Sequence, residues 1–129
     1  FWLQVHANNE KLREFCEEGQ YDEARRMMGA GEDYPVEVDW KGLDDWTPLH
    51  FACYQGHDDI VDLLCLGGAN VNALTTYSRN ALHIAALRGH APVTAALLRH
   101  PAFPGKHLRH RAVMLAVPIA PRFVFEFRF

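Results

Sequence analysis

The apolar positions of this chain fall into short stretches of helical spacing, clearest between residues 47 and 68. Leu49, Ala52 and Cys53 recur at intervals that place side chains on one face of a helix. Thr47 ahead of them is a good N-cap, and Pro48 suits the first helical position, where its missing N–H is not needed. Gly56 predicts the end of this helix, because a residue without Cβ turns the chain through a positive φ at little cost. Asp58 and Asp59 then open a second helix, their charges opposing its positive end. Ile60, Val61, Leu63 and Leu64 form its apolar stripe, and Gly67-Gly68 closes it.

The same pattern returns 33 positions later. Thr47-Pro48-Leu49-His50 meets Asn80-Ala81-Leu82-His83, Ala52 meets Ala85, Gly56-His57 meets Gly89-His90, and Leu64 meets Leu97. Six identities in one ungapped frame mark an internal repeat. Pro92 takes the matching early position of the later second helix. A weaker copy lies upstream, where Leu12, Cys16, Gly19, Ala24 and Met27 stand 37 before Leu49, Cys53, Gly56, Val61 and Leu64. Val38-Asp39, by contrast, stands 33 before Val71-Asn72. The four extra residues therefore fall in the stretch Glu32-Asp33-Tyr34-Pro35-Val36-Glu37, a loop by composition, and loops absorb insertions at low cost. One such helix pair has too little core to stand alone and must be covered by its neighbours. Ala52, Ala85 and Ala86 predict close stacking of successive first helices.

The run from Asp45 to His57 (DWTPLHFACYQGH), followed by Ile60-Val61-Asp62-Leu63-Leu64 and Gly68-Ala69-Asn70-Val71-Asn72-Ala73, resembles an ankyrin repeat almost residue for residue. A 33-residue period with T-P-L-H-x-A is that family's signature. The resemblance is strong over 42–100, fair over 9–41 and absent after about 101. It implies an all-α solenoid of about three stacked helix-turn-helix units with β-hairpin fingers, ending in an irregular C-terminal tail. Residues 9–41 would be a degenerate first repeat with a loop insertion at 32–37, 42–74 a full repeat, 75–103 a truncated one, and 104–129 the non-repeat tail. Two departures stand out. The glycine usual two residues before the Thr is Asp45 in one unit and Ser78 in the next, and Asn80-Ala81 replaces Thr-Pro. Asp and Asn tolerate turn conformations, so the fingers are still expected to form.

Composition changes this picture little. At 129 residues, with 49% apolar and 22% charged side chains, a modest core is available and wholesale disorder is excluded. The net charge of −3 is uneven. Lys106, Arg109, Arg111, Arg122 and Arg128 against Glu126 give the last 29 residues +4, leaving −7 on residues 1–100. An acidic body offers no basic stripe for nucleic acid. Cys16, Cys53 and Cys65 form no CxxC pair and read as reduced thiols of a cytoplasmic or nuclear protein. The longest apolar run, Ala112 to Ala120, is nine residues and contains Pro118, whereas a spanning helix needs about 20. The start at Phe1-Trp2-Leu3, without an initiator Met, reads as a fragment of a longer product.

Catalytic and metal chemistry are not expected. The resemblance makes His50, His57, His83 and His90 structural, with the histidine of the T-P-L-H segment bridging backbone groups between units. Zinc would need three or four converging ligands at tight spacing, and Cys53 and Cys65 stand twelve apart on different helices. Asp44-Asp45 and Asp58-Asp59 fit a hairpin tip and a helix start, and no nucleophile elbow, zincin motif or phosphate loop is present. No enzyme and no cofactor are expected.

The resemblance instead implies a non-catalytic protein-binding module, a scaffold or adaptor, using the fingers and the concave face of the first helices. Carried over, the binding positions are Leu43, Asp44, Trp46, Tyr54 and Gln55 in one unit and Thr76, Tyr77, Arg79, Leu87 and Arg88 in the next. Trp, Tyr and Arg dominate interface hot spots, though Trp46 and Tyr77 also suit packing of one finger on the next. The alternatives are a regulatory segment of a larger enzyme or channel, or a small inhibitor of a partner enzyme. Asn72 occupies a setting that this family can hydroxylate, against the simpler reading of a turn asparagine bonding its own backbone.

The tail breaks the pattern. Val113-Met114-Leu115-Ala116 keeps only the leucine of T-P-L-H, and Pro101, Pro104, Pro118 and Pro121 oppose a helix pair. Phe123, Phe125, Phe127 and Phe129 alternate with other residues as in an amphipathic strand. Three readings stay open: a cap over the third unit, a basic aromatic patch for a membrane surface or an acidic partner, or sequence that did not evolve with the array. The abrupt loss of pattern after His100 favours the last.

Overall fold

The computed structural model describes residues 2–29 and 35–100. The tail at 104–129 and residues 32–34 of the predicted insertion lie outside them. Six helices follow one another there: α1 (Trp2–Glu18), α2 (Tyr21–Gly29), α3 (Pro48–Gln55), α4 (Asp58–Leu66), α5 (Ala81–Arg88) and α6 (Ala91–Arg99). Each odd helix packs on the even one after it, α1 on α3 on α5 in one layer and α2 on α4 on α6 in the other. The result is an all-α stack of helix hairpins. Its core lies between the layers and includes Leu12, Leu49, Ile60, Val61, Leu64, Leu82, Val93 and Leu97. Ala52 and Ala85 are buried where the first helices meet, and their small side chains allow α3 and α5 to approach closely.

The expected local signals act as chemistry requires. Thr47 caps α3, accepting from the His50 N–H at 3.4 Å, while the Thr47 N–H donates to His50 Nδ1 at 3.0 Å. Asn80 and His83 repeat this reciprocal box on α5, at 2.8 and 3.3 Å. Asparagine supplies the same acceptor as threonine, so the loss of Thr-Pro costs the cap nothing. α1, at 17 residues, is about twice the length of α3 and α5, with eight each. Its buried Asn9 anchors the returning chain: Oδ1 accepts from the Glu37 N–H at 2.7 Å, and Nδ2 donates to the Glu37 carboxylate at 3.3 Å.

The fingers are turns; no β-strand is assigned among the described residues, so the β-hairpins expected for them are not seen. Gly42 N–H donates to Trp46 O at 2.9 Å and, 33 positions on, Thr75 N–H donates to Arg79 O at 3.0 Å. The other backbone bonds within each finger are tight turn bonds, such as Asp45 N–H to Gly42 O at 3.1 Å and Ser78 N–H to Thr75 O at 2.9 Å, which leaves no length for a ladder of repeated cross-strand pairs. The Thr76 N–H bonds Asp44 O at 3.0 Å and ties one tip to the next. Asp44, Asp45 and Ser78 sit at φ 57°, 60° and 58°, the left-handed region in which side chains are strained.

Glycine has a second duty at the helix ends. Gly56 caps α3 at φ 86°, and a Cβ built on it would meet the His90 ring at 2.8 Å. Gly19 stands in the same relation to His57, at 2.7 Å. In each case the histidine of one unit lies on the glycine of the unit before it, its Nε2 donating to Tyr54 O at 2.9 Å or Glu17 O at 3.1 Å. Gly56→Ala therefore combines a left-handed penalty of about 1–2 kcal/mol with displacement of an inter-unit hydrogen bond worth about 1 kcal/mol. Urea denaturation should show a loss of about 2 kcal/mol or more, and a loss below about 0.5 kcal/mol would refute the double role. Ser78→Gly works in the opposite direction. Relief of the left-handed strain, less the extra backbone entropy of glycine, should stabilise by about 0.5–1 kcal/mol in the same measurement.

Candidate protein-binding surface

The histidines that invite a catalytic or metal reading are held by backbone. His50 Nδ1 accepts from the Thr47 N–H, so the ring proton is on Nε2, which donates to Ala73 O at 3.0 Å. This side chain thus joins the start of α3 to the connection entering the next unit. It is 1% exposed, and its pKa is lowered to about 4, chiefly by burial and further by the charge of Lys41, against the raising effect of the Ala73 bond. The neutral ring is part of the fold. Burial pushes the Cys16 thiol up to about 12 and the Cys65 thiol up to about 11, and drives the Cys53 thiol upward as well. Thiols so protonated are poor nucleophiles and poor metal ligands. Among the described residues, no three His, Cys, Asp or Glu side chains converge as a metal site. Two shallow surface depressions, of about 450 and 410 Å³, are lined by residues 37–41 and by Asp22, Arg25, Arg26 and Gly29.

The noteworthy surface runs across the first helices. The Trp46 ring, half-buried, lies 5.1 Å from Phe51 and 5.6 Å edge-on from Tyr54. Arg88, on the next unit, places its guanidinium 4.3 Å over the Tyr54 ring, and its Nε donates to Tyr54 O at 3.4 Å. On the other side Arg13 of α1 lies 5.4 Å over Phe51. Arg13 also pairs with Glu17 at 2.7 Å, Glu10 at 3.2 Å and Glu14 at 3.8 Å. One row of aromatic rings thus crosses the middle unit, gripped at both ends by arginines of its neighbours.

The ten positions carried over from the sequence divide into groups. Trp46, Tyr54 and Arg88 come together in this row. Gln55 and Arg79 are exposed and Leu87 is partly covered. Leu43 and Tyr77 stand out at the finger tips, 86% and 73% exposed, while Asp44 and Thr76 are joined through their backbones. Trp46 packs into the row of its own unit, so packing accounts for it better than it does for Tyr77. Arg13 and Phe51 were not singled out from sequence. The signal for Arg13 is faint but real: it stands 37 before His50, where the degenerate unit lacks the usual histidine. Asn72 is exposed, and its N–H donates to the Asn70 side chain at 3.0 Å, so Asn70, not Asn72, is the turn-forming asparagine.

A family model of ankyrin repeats in three copies matches residues 12–115. The chain belongs to the ankyrin-repeat family. The match runs past His100, into the segment where the T-P-L-H pattern fades. The chain is 34% identical over 92 residues to the E3 ubiquitin-protein ligase XBAT33 of Arabidopsis thaliana, covering 71% of this chain and 18% of that protein. To oxysterol-binding protein-related protein 1 of Mus musculus it is 37% identical over 71 residues, 50% of this chain and 8% of the relative. To ankyrin repeat domain-containing protein 40 of Homo sapiens it is 32% identical over 74 residues, covering 57% and 19%. The aligned part is less than a fifth of each of these relatives.

His50 generates a pH test. Its folded pKa lies below the ordinary 6.5, so between about pH 6.5 and 4 the unfolded chain binds more protons and stability falls as pH falls. The full effect is about 3 kcal/mol, complete near pH 4 and flat below it. A His50→Gln protein, which cannot titrate there, should start less stable at pH 7 but lose correspondingly less on acidification. Parallel stability curves for the two proteins between pH 7 and 4 would show that His50 is not the titrating group.

Proposed function

We propose that this chain is a non-catalytic scaffold or adaptor module that binds a partner protein through its finger tips and the concave face of its first helices. Ankyrin repeats are in general protein-interaction modules, and the relatives named above carry theirs as parts of larger proteins. The observation that supports the reading here is the row Phe51, Trp46, Tyr54 and Arg88, which presents aromatic and guanidinium surface already held in place. Side chains fixed before binding lose little entropy on binding, and Tyr, Trp and Arg are the types that dominate interface energetics. Tyr77 extends the same surface at a finger tip. The binding set remains Leu43, Asp44, Trp46, Tyr54, Gln55, Thr76, Tyr77, Arg79, Leu87 and Arg88. Three buried, unpaired cysteines support a reducing compartment, cytoplasmic or nuclear.

A second reading is that the array belongs to a larger enzyme or channel and positions it. It is favoured by the lengths of the relatives, one of them named as a ubiquitin ligase. The two readings share the same surface.

The test is partner capture by the full chain and by a Tyr54→Ala, Tyr77→Ala, Arg88→Ala variant, with the captured proteins quantified by mass spectrometry. Trp46 is left in place because its packing would confound the result. Loss of two or three hot-spot side chains should weaken capture at least about tenfold. Unchanged capture by a variant whose melting temperature matches the parent would sink the proposal.

A further inference from the structure

The chemistry of the row is not uniform along the stack, and the difference has a direction. The 33- and 37-residue offsets place Glu14, Glu17 and Glu18 of α1, Phe51, Tyr54 and Gln55 of α3, and Ile84, Leu87 and Arg88 of α5 at equivalent positions near the ends of the first helices. The first unit therefore contributes three carboxylates, the second an aromatic centre and the third a cation. Arg13 lies among the carboxylates but is shared by Glu10, Glu14 and Glu17, which leaves that end net negative. The contacts Arg13–Phe51 and Arg88–Tyr54 show that the three zones are contiguous. The fingers repeat the order, with Asp44 and Asp45 exposed on one and Arg79 on the next.

Taking the reading above as given, the geometry points to a partner of definite kind: an extended peptide segment carrying a basic residue at one end, an apolar or aromatic residue in the middle and an acidic residue at the other. The basic residue meets the glutamates of α1, the central one stacks on Trp46 and Tyr54, and the acidic one meets Arg88 with Arg79. Neighbouring first helices lie about 8–10 Å apart, so the poles of the row are about 16–20 Å apart. An extended chain advances about 3.3–3.6 Å per residue, which sets the two charges about five or six residues apart. Charge complementarity at an interface rim favours the correct register and suppresses the wrong one.

Three capped nonapeptides test this against the full chain, each with Phe at the centre. The first carries two Lys at one end and two Glu at the other, the second Lys at both ends, and the third Glu at both ends. Fluorescence anisotropy of labelled peptides at low salt should show the mixed peptide binding about tenfold tighter than either uniform one, with the advantage shrinking as salt is added. An Arg79→Glu, Arg88→Glu variant should move the preference to the all-Lys peptide. A Glu14→Lys, Glu18→Lys variant should move it to the all-Glu peptide; both variants alter exposed positions. Equal binding of all three peptides, weakened by Tyr54→Ala, would overturn the charged-pole proposal and leave the surface as a binding site. No binding by any of them would also overturn it, and the capture experiment would then decide the surface on its own.

Discussion

A pair of helices of eight or nine residues cannot enclose its own apolar face, and everything else in this chain follows from the need to cover that face with a neighbour. Leu49 and Leu64 are covered by α1 and α2 on one side of the middle hairpin and by α5 and α6 on the other, and Leu82 and Leu97 join the same core from α5 and α6. The stacking surface must be flat and close. Alanines at 52 and 85 keep it so, and the helix ends turn through left-handed glycines that leave room for the next unit's imidazole.

Two of the hydrogen bonds that join units run from an imidazole to a carbonyl, His57 to Glu17 O and His90 to Tyr54 O, beside the backbone bond from Thr76 N–H to Asp44 O and the bond from Asn70 N–H to the Asp39 carboxylate. Each spans a joint that apolar packing alone would leave free to slide. Such a joint has no direction in hydrophobic terms, whereas an imidazole N–H aimed at one carbonyl sets a single register. Within the middle unit His50 must be neutral, because its Nδ1 accepts from the Thr47 N–H while its Nε2 donates to Ala73 O. The stack is therefore tied to pH through its most buried imidazole.

Scaffold and recognition divide the same helices between them. The inward faces of α3 and α5 carry leucine, alanine and histidine; the remaining positions carry Tyr54, Gln55, Leu87 and Arg88. Because the scaffold is held from within, the outer positions vary freely from unit to unit. That freedom is what allows one end of the row to be acidic and the other basic without cost to the fold.

Sequence by itself determined the helix hairpins, their caps and their order. These depend on interactions within a few residues, such as Thr47 with His50, Pro48 at a helix start and Gly56 at its end, and the 33-residue period copies them. The resemblance also marked Asp45 and Ser78 as standing where glycine is usual, and the structure shows both at positive φ. Tertiary structure alone decided that the fingers are tight turns without a ladder, that α1 extends to Trp2, and that Asn9 holds the chain returning through Glu37. It alone decided the surface too. Arg13, Phe51, Tyr54 and Arg88 lie in three different units, and no local pattern reports which side chains of separate repeats meet once the units are stacked. Periodicity encodes the contacts that every repeat shares; the contacts that distinguish this array arise between non-equivalent residues and exist only in the assembled stack.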